Sequence, residues 1–159
     1  MQTTQGLLIR EFARGDEAAF RSLNEYWITL YFQMEAKDEE AFLDPQRTIV
    51  DAGGTILLAI AGDKCIGCCA LVRLSETDFE VAKMAVDPAS QGSGVGRRLL
   101  KAVIERARLA GAKRLSLETN RKLGAALRLY ESAGFQHIPP ERVIPSPYAR
   151  ADVSMEMFL

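Results

Sequence analysis

Hydrophobic residues in the middle of the chain form three short runs, a pattern typical of strands in the core of a sheet. The runs span Thr55–Ala61, Cys65–Leu74 and Asp78–Val86. Because only short turns separate them, they predict an antiparallel meander, which ends at Pro88 since proline cannot continue a strand ladder. Shorter runs predict four further strands, at Leu7–Phe12, Lys113–Thr119, Phe135–Ile138 and Val153–Leu159.

Four other segments repeat their apolar residues at helical spacing. The predicted helices begin near Glu17, Glu35, Val95 and Lys122, and the second is more polar, with a break expected at Pro45. The element order β-α-α-β-β-β-α-β-α-β-β predicts an α/β fold with a mixed, mainly antiparallel central sheet of about seven strands flanked by about four helices. In the first helix, the apolar residues that recur at helical spacing are Ala19, Leu23, Tyr26, Trp27, Leu30 and Tyr31.

Composition and charge narrow the possibilities. The chain has 159 residues, 48% of them hydrophobic, so residues 1–159 are expected to form a single globular domain. The 20 basic and 21 acidic residues give a net charge of −1, which argues against nucleic acid or a membrane surface as a partner. No apolar run reaches the roughly 18 residues of a membrane span, and the N-terminus lacks a signal-peptide pattern. The expected location is therefore the cytoplasm.

The three cysteines lie close together in the sequence, as in some metal and redox sites. Cys65 and Cys68 have the Cys-x-x-Cys spacing of half a zinc site or of a redox pair, and Cys69 follows directly. The chain has no second cysteine pair, and its single histidine, His137, lies far away in sequence. We therefore expect no metal, and interpret the segment as a buried strand.

The most informative segment joins the third strand of the meander to the third helix. It reads Gln91-Gly92-Ser93-Gly94-Val95-Gly96, so that a glycine-rich turn opens directly into a helix. Glycines let the backbone approach a ligand closely, and a helix N-terminus presents unpaired N–H groups and the positive end of a dipole. The turn therefore predicts an anion site, most naturally for phosphate.

The charges around this turn sharpen the prediction. Arg97, Arg98 and Lys101 lie in the first two helical turns, where cations oppose the helix dipole, and no Asp or Glu occurs between residues 91 and 104. A bound, multiply charged anion would explain this arrangement. A solvated basic face beside an ordinary glycine turn is the alternative.

Two other phosphate-binding templates fit less well. A P-loop needs Gly-Lys followed by Ser or Thr, whereas Gly96 is followed by Arg97 and Arg98. A dinucleotide fold needs Gly-x-Gly-x-x-Gly, and Gly92, Gly94 and Gly96 have a different spacing. A nucleoside triphosphatase and a dinucleotide oxidoreductase are therefore both disfavoured.

The glycine turn resembles the signature of the GCN5-related N-acetyltransferase (GNAT) family. That signature, Gln/Arg-x-x-Gly-x-Gly/Ala, is matched by Gln91 to Gly96, between a strand that ends at Val86 and the helix that follows. A second block, Ala126–Phe135, resembles the tyrosine-containing helix and the Gly-Phe turn of the family. The element order also fits, so the likeness covers nearly the whole chain.

The resemblance implies an enzyme, an N-acetyltransferase that takes acetyl-CoA as cosubstrate and transfers the acetyl group to a primary amine. No cysteine is placed to form an acyl-enzyme, so the expected mechanism is direct transfer in a ternary complex. By the same likeness, backbone groups of Met84, Ala85 and Val86 would pair with the pantetheine arm, and Asn120 would touch it. The pyrophosphate would be held by Gln91, Gly92, Ser93, Gly94, Val95, Gly96 and Arg97.

Two residues are candidates for acid–base roles in such a transfer. The resemblance places Tyr130 as general acid near the sulfur, although Tyr130 also lies on a helical stripe of core residues. Glu80 has the position of the base glutamate in the histone-modifying members of the family, or else is a solvent-facing strand residue. Simple alternation puts Glu80 on the same strand face as Met84 and Val86. The N–H of Met84 or Ala85 would meet the oxyanion.

Further charged groups were considered for binding. Lys122 and Arg128 could reach the 3′-phosphate of the cofactor, or they are ordinary helix-surface charges. The second helix carries acidic residues that form either a rim attracting a cationic amine or a solvated face, namely Glu35, Asp38, Glu39, Glu40 and Asp44.

The sequence leaves the acceptor amine and the oligomeric state open, although a homodimer is common among folds of this kind. The loops around residues 31–51 and 139–151 are expected to shape the acceptor pocket. A different function class also stays open. A non-catalytic sensor could bind acyl-CoA in the same cleft, but a sensor needs no acid near the sulfur.

Overall fold

The computed structural model describes residues 6–159 and contains one sheet of seven strands. The strands are β1 Leu7–Glu11, β2 Thr55–Ala61, β3 Lys64–Arg73, β4 Asp78–Val86, β5 Arg114–Thr119, β6 Gln136–His137 and β7 Val153–Phe158. They lie in the order β1-β2-β3-β4-β5-β7-β6. Neighbours pair antiparallel except β4 and β5, which are parallel. The expected α/β fold with a mainly antiparallel sheet is confirmed.

Helices cover both faces of the sheet. They are α1 Glu17–Tyr31, α2 Ala36–Leu43, α3 Val95–Leu109 and α4 Gly124–Ala133. As expected, α2 ends before Pro45, and a short π-helical turn, Gln46–Val50, follows it. Within the described residues, no helix is long and apolar enough to cross a membrane.

Alternation along the strands divides the core into two layers. On β2, Leu57 and Ala59 pack in the layer that contains α3 and Tyr130 of α4. Ile56 and Leu58 pack in the layer that contains residues of α1 and α2. We call these two sides of the sheet the α3/α4 side and the α1/α2 side.

Helix α3 lies unusually close to strand β3, at Gly67. A Cβ atom at this position would lie 2.9 Å from Cδ1 of Leu99 and 3.2 Å from Cγ1 of Val95. Glycine is therefore required here by close packing, which brings the N-terminal turn of α3 against the sheet beside β4.

The apolar stripe of α1 forms only part of the helix face that packs on the sheet. Leu23 and Trp27 pack partly buried against the α1/α2 layer, whereas Tyr26 and Leu30 are 52% and 59% exposed. The buried residues of α1 are Phe20, Asn24 and Ile28, so a polar residue occupies the centre of the buried face. Asn24 is accommodated there because its amide donates to the backbone oxygen of Phe20 at 3.0 Å.

The interpretation of the cysteines as strand residues is confirmed. All three lie on β3, and Cys68 and Cys69 are fully buried. Burial raises the pKa of Cys68 well above its ordinary value and that of Cys69 to about 12, so both stay neutral thiols near neutral pH.

Candidate active site

A cleft opens where the two parallel strands separate. Strands β4 and β5 pair over only three residues each, 78–80 against 114–116. Beyond Glu80, β4 continues to Val86 without β5 beside it, and a cavity of about 650 Å³ lies between the two strand ends. The edge of β4 that faces the cavity therefore has backbone N–H and C=O groups available for a ligand.

A β-bulge reshapes β4 at this point. Cys68 pairs with Ala85 and Ala70 with Ala82, so Cys69 alone faces two residues, one of them Lys83. Lys83 has a φ of 53°, in the left-handed region that is rare for residues other than glycine.

The bulge reverses the alternation of side chains along β4. Before it, Phe79 and Val81 pack in the α3/α4 layer, and after it Met84 and Val86 pack in the same layer. Glu80 consequently projects to the α1/α2 side, opposite to Met84 and Val86. The expectation that these three residues share a face is wrong, because one inserted residue shifts the period-two pattern.

The glycine turn lies at one end of the cleft. Gly94 is the N-cap of α3 with a φ of 88°, and the first turn of the helix carries no acidic residue. The side-chain amide of Gln91 donates to the backbone oxygen of Val86 at 3.2 Å, tying the turn to the end of β4. The unpaired N–H groups of this helix N-terminus can hold an anion.

Most of the predicted binding residues line the cleft. These are Met84, Ala85, Val86, Gln91, Gly92, Gly94, Val95, Gly96 and Asn120, together with both acid–base candidates, Glu80 and Tyr130. Ser93 and Arg97 do not line the cleft; the hydroxyl of Ser93 donates to the backbone oxygen of Ser90, and Arg97 is exposed. Of the two phosphate candidates, Lys122 lines the cleft and Arg128 does not.

Tyr130 projects from α4 towards Met84 on the α3/α4 side. The hydroxyl lies 3.9 Å from the Met84 sulfur, and the ring packs edge-on against Phe135 with 6.1 Å between centroids. Burial raises the pKa of Tyr130, so the phenol is protonated and can donate a proton.

Glu80 lies on the other side of the sheet, where its carboxyl group is partly buried. Burial raises its pKa to about 7, and the nearby carboxylate of Glu118 contributes in the same direction, while Lys83 opposes them. Glu118 itself accepts a hydrogen bond from the hydroxyl of Ser146. A carboxyl with a pKa near 7 is suited to take up a proton at neutral pH.

Asn120 is already engaged at the end of β5. Its Nδ2 donates to the backbone oxygen of Arg150 at 2.7 Å, and its Oδ1 accepts from the backbone N–H of Lys122 at 2.8 Å. The Lys122 ammonium lies 5.7 Å from the ring centroid of Phe32. The side-chain NH2 of Asn120 can donate one further hydrogen bond, and its carbonyl oxygen can accept one more.

The acidic residues of α2 do not behave as one group. Asp38 is fully buried, and its carboxylate binds both the Lys83 ammonium and the Arg150 guanidinium. Glu39 and Glu40 are exposed and pair with Arg21 and Lys37. Asp38 therefore belongs neither to an acidic rim nor to a solvated helix face.

Four residues that line the cleft are not singled out by any sequence pattern, namely Lys83, Glu118, Tyr148 and Arg150. Lys83 gave one usable signal, since a lysine interrupts an otherwise apolar stretch of a predicted strand. Tyr148 and Arg150 lie in a loop without periodicity, so no pattern marks them.

Known proteins are similar to this chain in sequence. A model of the acetyltransferase (GNAT) family matches residues 17–135. N-alpha-acetyltransferase RimI of Mycobacterium tuberculosis is 41% identical over 83 residues, which cover 50% of this chain and 51% of that protein. The uncharacterized N-acetyltransferase YsnE of Bacillus subtilis is 38% identical over 88 residues, covering 54% of this chain and 58% of that protein. The chain therefore spans about half the length of these curated relatives.

Solved structures extend the likeness to the whole fold. An acetyltransferase of the GNAT family from Staphylococcus aureus has a TM-score of 0.87 and 20% identity, covering 96% of this chain and 98% of that chain. The structure of yncA from Salmonella typhimurium with its cofactor acetyl-CoA has a TM-score of 0.72 and 21% identity, covering 96% and 93%. At these identities the likeness shows the fold, while the family model spans 119 of the 159 residues. The chain belongs to the acetyltransferase (GNAT) family, whose members use acetyl-CoA.

Proposed function

We propose that the protein is an acetyl-CoA-dependent N-acetyltransferase that transfers the acetyl group directly to a primary amine in a ternary complex. One observation carries the proposal: the cleft between β4 and β5 connects the two sides of the sheet, with Tyr130 on the α3/α4 side and Glu80 on the α1/α2 side. A proton donor and a proton acceptor therefore face the cleft from opposite sides.

The α3/α4 side fits the cosubstrate. The edge of β4 that does not pair with β3 presents backbone groups of Met84 and Val86, which can pair with the amide groups of a pantetheine arm as a neighbouring strand would, whereas Ala85 pairs with Cys68 of β3. The N-terminal turn of α3, from Gln91 to Arg97, can hold the pyrophosphate on its N–H groups. Asn120 can reach the same arm with its open hydrogen-bonding positions.

The α1/α2 side fits the amine. A primary amine is protonated at neutral pH and is attracted by the carboxyl groups of Glu80 and Glu118. Glu80 takes one proton from it, directly or through a water molecule, and so frees the nitrogen lone pair for attack.

The transfer step then needs two donors. As the nitrogen bonds to the acetyl carbon, the N–H of Met84 donates to the oxygen on which negative charge develops. As the carbon–sulfur bond breaks, Tyr130 donates its proton to the departing sulfur, and the second proton lost by the nitrogen returns to Tyr130 through water. Glu80 then releases its proton to the solvent, so the products are an N-acetylated amine, free CoA and one proton.

The cysteines do not fit an acyl-enzyme route. Cys65, Cys68 and Cys69 are all absent from the residues that line the cleft, and Cys68 and Cys69 are fully buried. Burial keeps both buried thiols protonated, and the thiolate is the nucleophilic form. These facts support direct transfer.

An amine panel tests the proposal. The purified protein is incubated with acetyl-CoA and with amino acids, polyamines, amino sugars, and peptides that have a free N-terminus or lysine. Free thiol and acetylated product are then followed by a thiol reagent and by mass spectrometry. Glu80→Gln is the test variant, and Glu76→Gln, an exposed loop glutamate nearby, is the matched control.

The expected result is transfer to at least one amine, with turnover lowered about 100-fold in Glu80→Gln and unchanged in Glu76→Gln. Binding of acetyl-CoA without any acetylated product across the panel would favour the non-catalytic sensor. Absence of acetyl-CoA binding would exclude both functions.

A further inference from the structure

Asp38 is a buried carboxylate at which three separate parts of the chain meet. It belongs to α2, and its side chain has no exposed surface. Oδ1 accepts from Nζ of Lys83, on the bulge of β4, at 2.8 Å. Arg150 forms a two-pronged contact, Nη1 to Oδ2 at 2.7 Å and Nη2 to Oδ1 at 2.6 Å. Asp38 therefore connects α2, β4 and the loop before β7.

That loop crosses the cleft on the α1/α2 side, and we call residues 146–150 the strap. The Ser146 hydroxyl donates to Glu118 on β5, and the Tyr148 hydroxyl accepts from Lys83 Nζ on β4 at 3.0 Å. The strap is thus attached to both strands whose separation forms the cleft. Its backbone N–H at Ala149 also donates to the Glu35 carboxylate at 3.0 Å, at the N-terminus of α2.

Aromatic rings complete the wall around the Arg150 guanidinium. It lies 4.6 Å from the ring centroid of Tyr148 and 5.6 Å from that of Trp27. Trp27 is itself held by Asn24 of α1, because the indole N–H donates to Asn24 Oδ1 at 3.2 Å. Trp27, Tyr148 and Arg150 all line the cleft.

The charges of this group are matched within it. Asp38 forms ion pairs with both Lys83 and Arg150, and Glu35 forms one with Arg150. Two carboxylates therefore balance two cations. Buried pairs of this kind add little net stability compared with apolar residues, but they fix the geometry of the parts that they join. Arg150 and Lys83 keep the pKa of Asp38 at about 2 despite its burial, so Asp38 stays ionised across the physiological range.

We propose that Asp38 is a positioning residue for the acceptor side of the cleft: by binding Lys83 and Arg150 together, it sets the position of the strap relative to β4. The expected effect on amine binding rests on the proposed function, since the strap faces the side on which Glu80 would meet the amine. It predicts that Asp38 controls acceptor binding and leaves cosubstrate binding unaffected.

Hydrogen exchange tests the placement without any acetyl transfer. In the Asp38→Asn variant of the full chain, strap amides should exchange about tenfold faster, while amides of β2, β3 and α3 keep their rates. The affinity for acetyl-CoA, measured by calorimetry, should stay within about twofold of wild type. Glu39→Gln is the matched control, because it changes the neighbouring carboxylate of α2, which pairs with Arg21 instead.

A second variant covers the case in which Asp38→Asn does not fold. Arg150→Met releases the strap and leaves the Asp38–Lys83 pair in place, so it should produce the same local increase in exchange. Unchanged strap exchange in a folded variant would overturn the proposal. Faster exchange throughout the sheet would also overturn it, because Asp38 would then act only on overall stability.

Kinetics with the best amine of the panel decide the functional part. Asp38→Asn should raise KM for the amine about tenfold and leave KM for acetyl-CoA within about twofold. An equal rise in both constants would contradict a role confined to the acceptor side. If wild-type protein acetylates no amine, the proposed function fails, whereas the exchange result still decides whether Asp38 holds the strap.

Discussion

At the scale of single residues, burial has the same effect on the two acid–base candidates but suits them to different roles. Burial raises the pKa of both Glu80 and Tyr130 because the charged form of each group loses hydration. For Glu80 the result is a carboxyl that titrates near neutral pH. For Tyr130 it is a phenol that is protonated at neutral pH, as a proton donor to the departing sulfur must be.

The pH dependence of turnover should reveal Glu80 directly. A base works only when ionised, so turnover at saturating substrates should rise with pH through about 7 and level off above it. With an ordinary glutamate pKa of about 4.5, turnover would instead be flat between pH 6 and pH 8. The measurement is a pH–rate profile of wild type and Glu80→Gln, in which the variant should lose this inflexion.

Glu118→Gln provides the control for that profile. Because the Glu118 carboxylate helps to raise the pKa of Glu80, its removal should move the inflexion to lower pH. An inflexion that stays in place in both variants would assign the titration to the amine substrate.

Tyr130→Phe should separate chemistry from binding. The phenol hydroxyl donates to the Met84 sulfur, which is a weak acceptor, so its removal leaves no strongly polar partner unsatisfied. We expect turnover to fall about 10- to 100-fold, while acetyl-CoA affinity stays within about twofold. Stopped-flow or steady-state rates and calorimetry measure the two quantities. Equal losses in both would mean that Tyr130 is a packing residue of the cleft.

At the scale of elements, the sequence predicts what repeats locally and misses what distant residues determine. The meander is predictable because β2, β3 and β4 are apolar runs joined by short turns. The position of the glycine turn is predictable because it lies between a predicted strand and a predicted helix, and β4 and α3 flank it in the structure. The bulge is not predictable from local sequence. The ammonium of Lys83, at the bulge, is held by Asp38, 45 positions away, and by Tyr148, 65 positions away. No local pattern encodes either contact, so the reversed face of Glu80 could not be foreseen.

The close approach of α3 to β3 gives a prediction for an element. In Gly67→Ala the added methyl would lie 2.9 Å from Leu99 Cδ1, 3.2 Å from Val95 Cγ1 and 3.3 Å from the backbone oxygen of Ala85, so the α3 side chains packed on β3 must give way. We expect the free energy of unfolding in urea to fall by about 1–3 kcal/mol, the usual cost of overpacking. Acetyl-CoA affinity should fall as well, because the N-terminal turn of α3 moves with the helix.

Gly62→Ala is the comparison for that variant. Gly62 lies in the β2–β3 hairpin with a φ of 64°, so alanine strains the hairpin backbone, but its Cβ would meet no atom within 4 Å and would not press on α3. Gly62→Ala should therefore preserve acetyl-CoA affinity. If both variants bind acetyl-CoA equally well, the packing at Gly67 does not position the anion site.

At the scale of the whole molecule, the sheet consists of two parts with a narrow connection. Strands β1 to β4 form one part, β5 to β7 form the other, and only three residue pairs join them. The strap adds a second connection, through Ser146 to β5 and Tyr148 to β4. A ligand held between β4 and β5 would therefore contact both parts at once, and its binding should stabilise the fold as a whole.

Thermal unfolding with acetyl-CoA, NAD and ATP in parallel measures this stabilisation. A ligand present at about 100 times its Kd adds roughly 2.7 kcal/mol, which should raise Tm by about 5–10 °C for a chain of this length. Acetyl-CoA should give this increase and NAD should not, because the glycine spacing does not suit a dinucleotide. ATP shares phosphates but lacks a pantetheine arm to pair with the edge of β4, so its effect should be smaller. An equal increase with ATP would mean that the α3 turn binds phosphate without help from β4, and the pairing proposed for Met84 and Val86 would then be wrong.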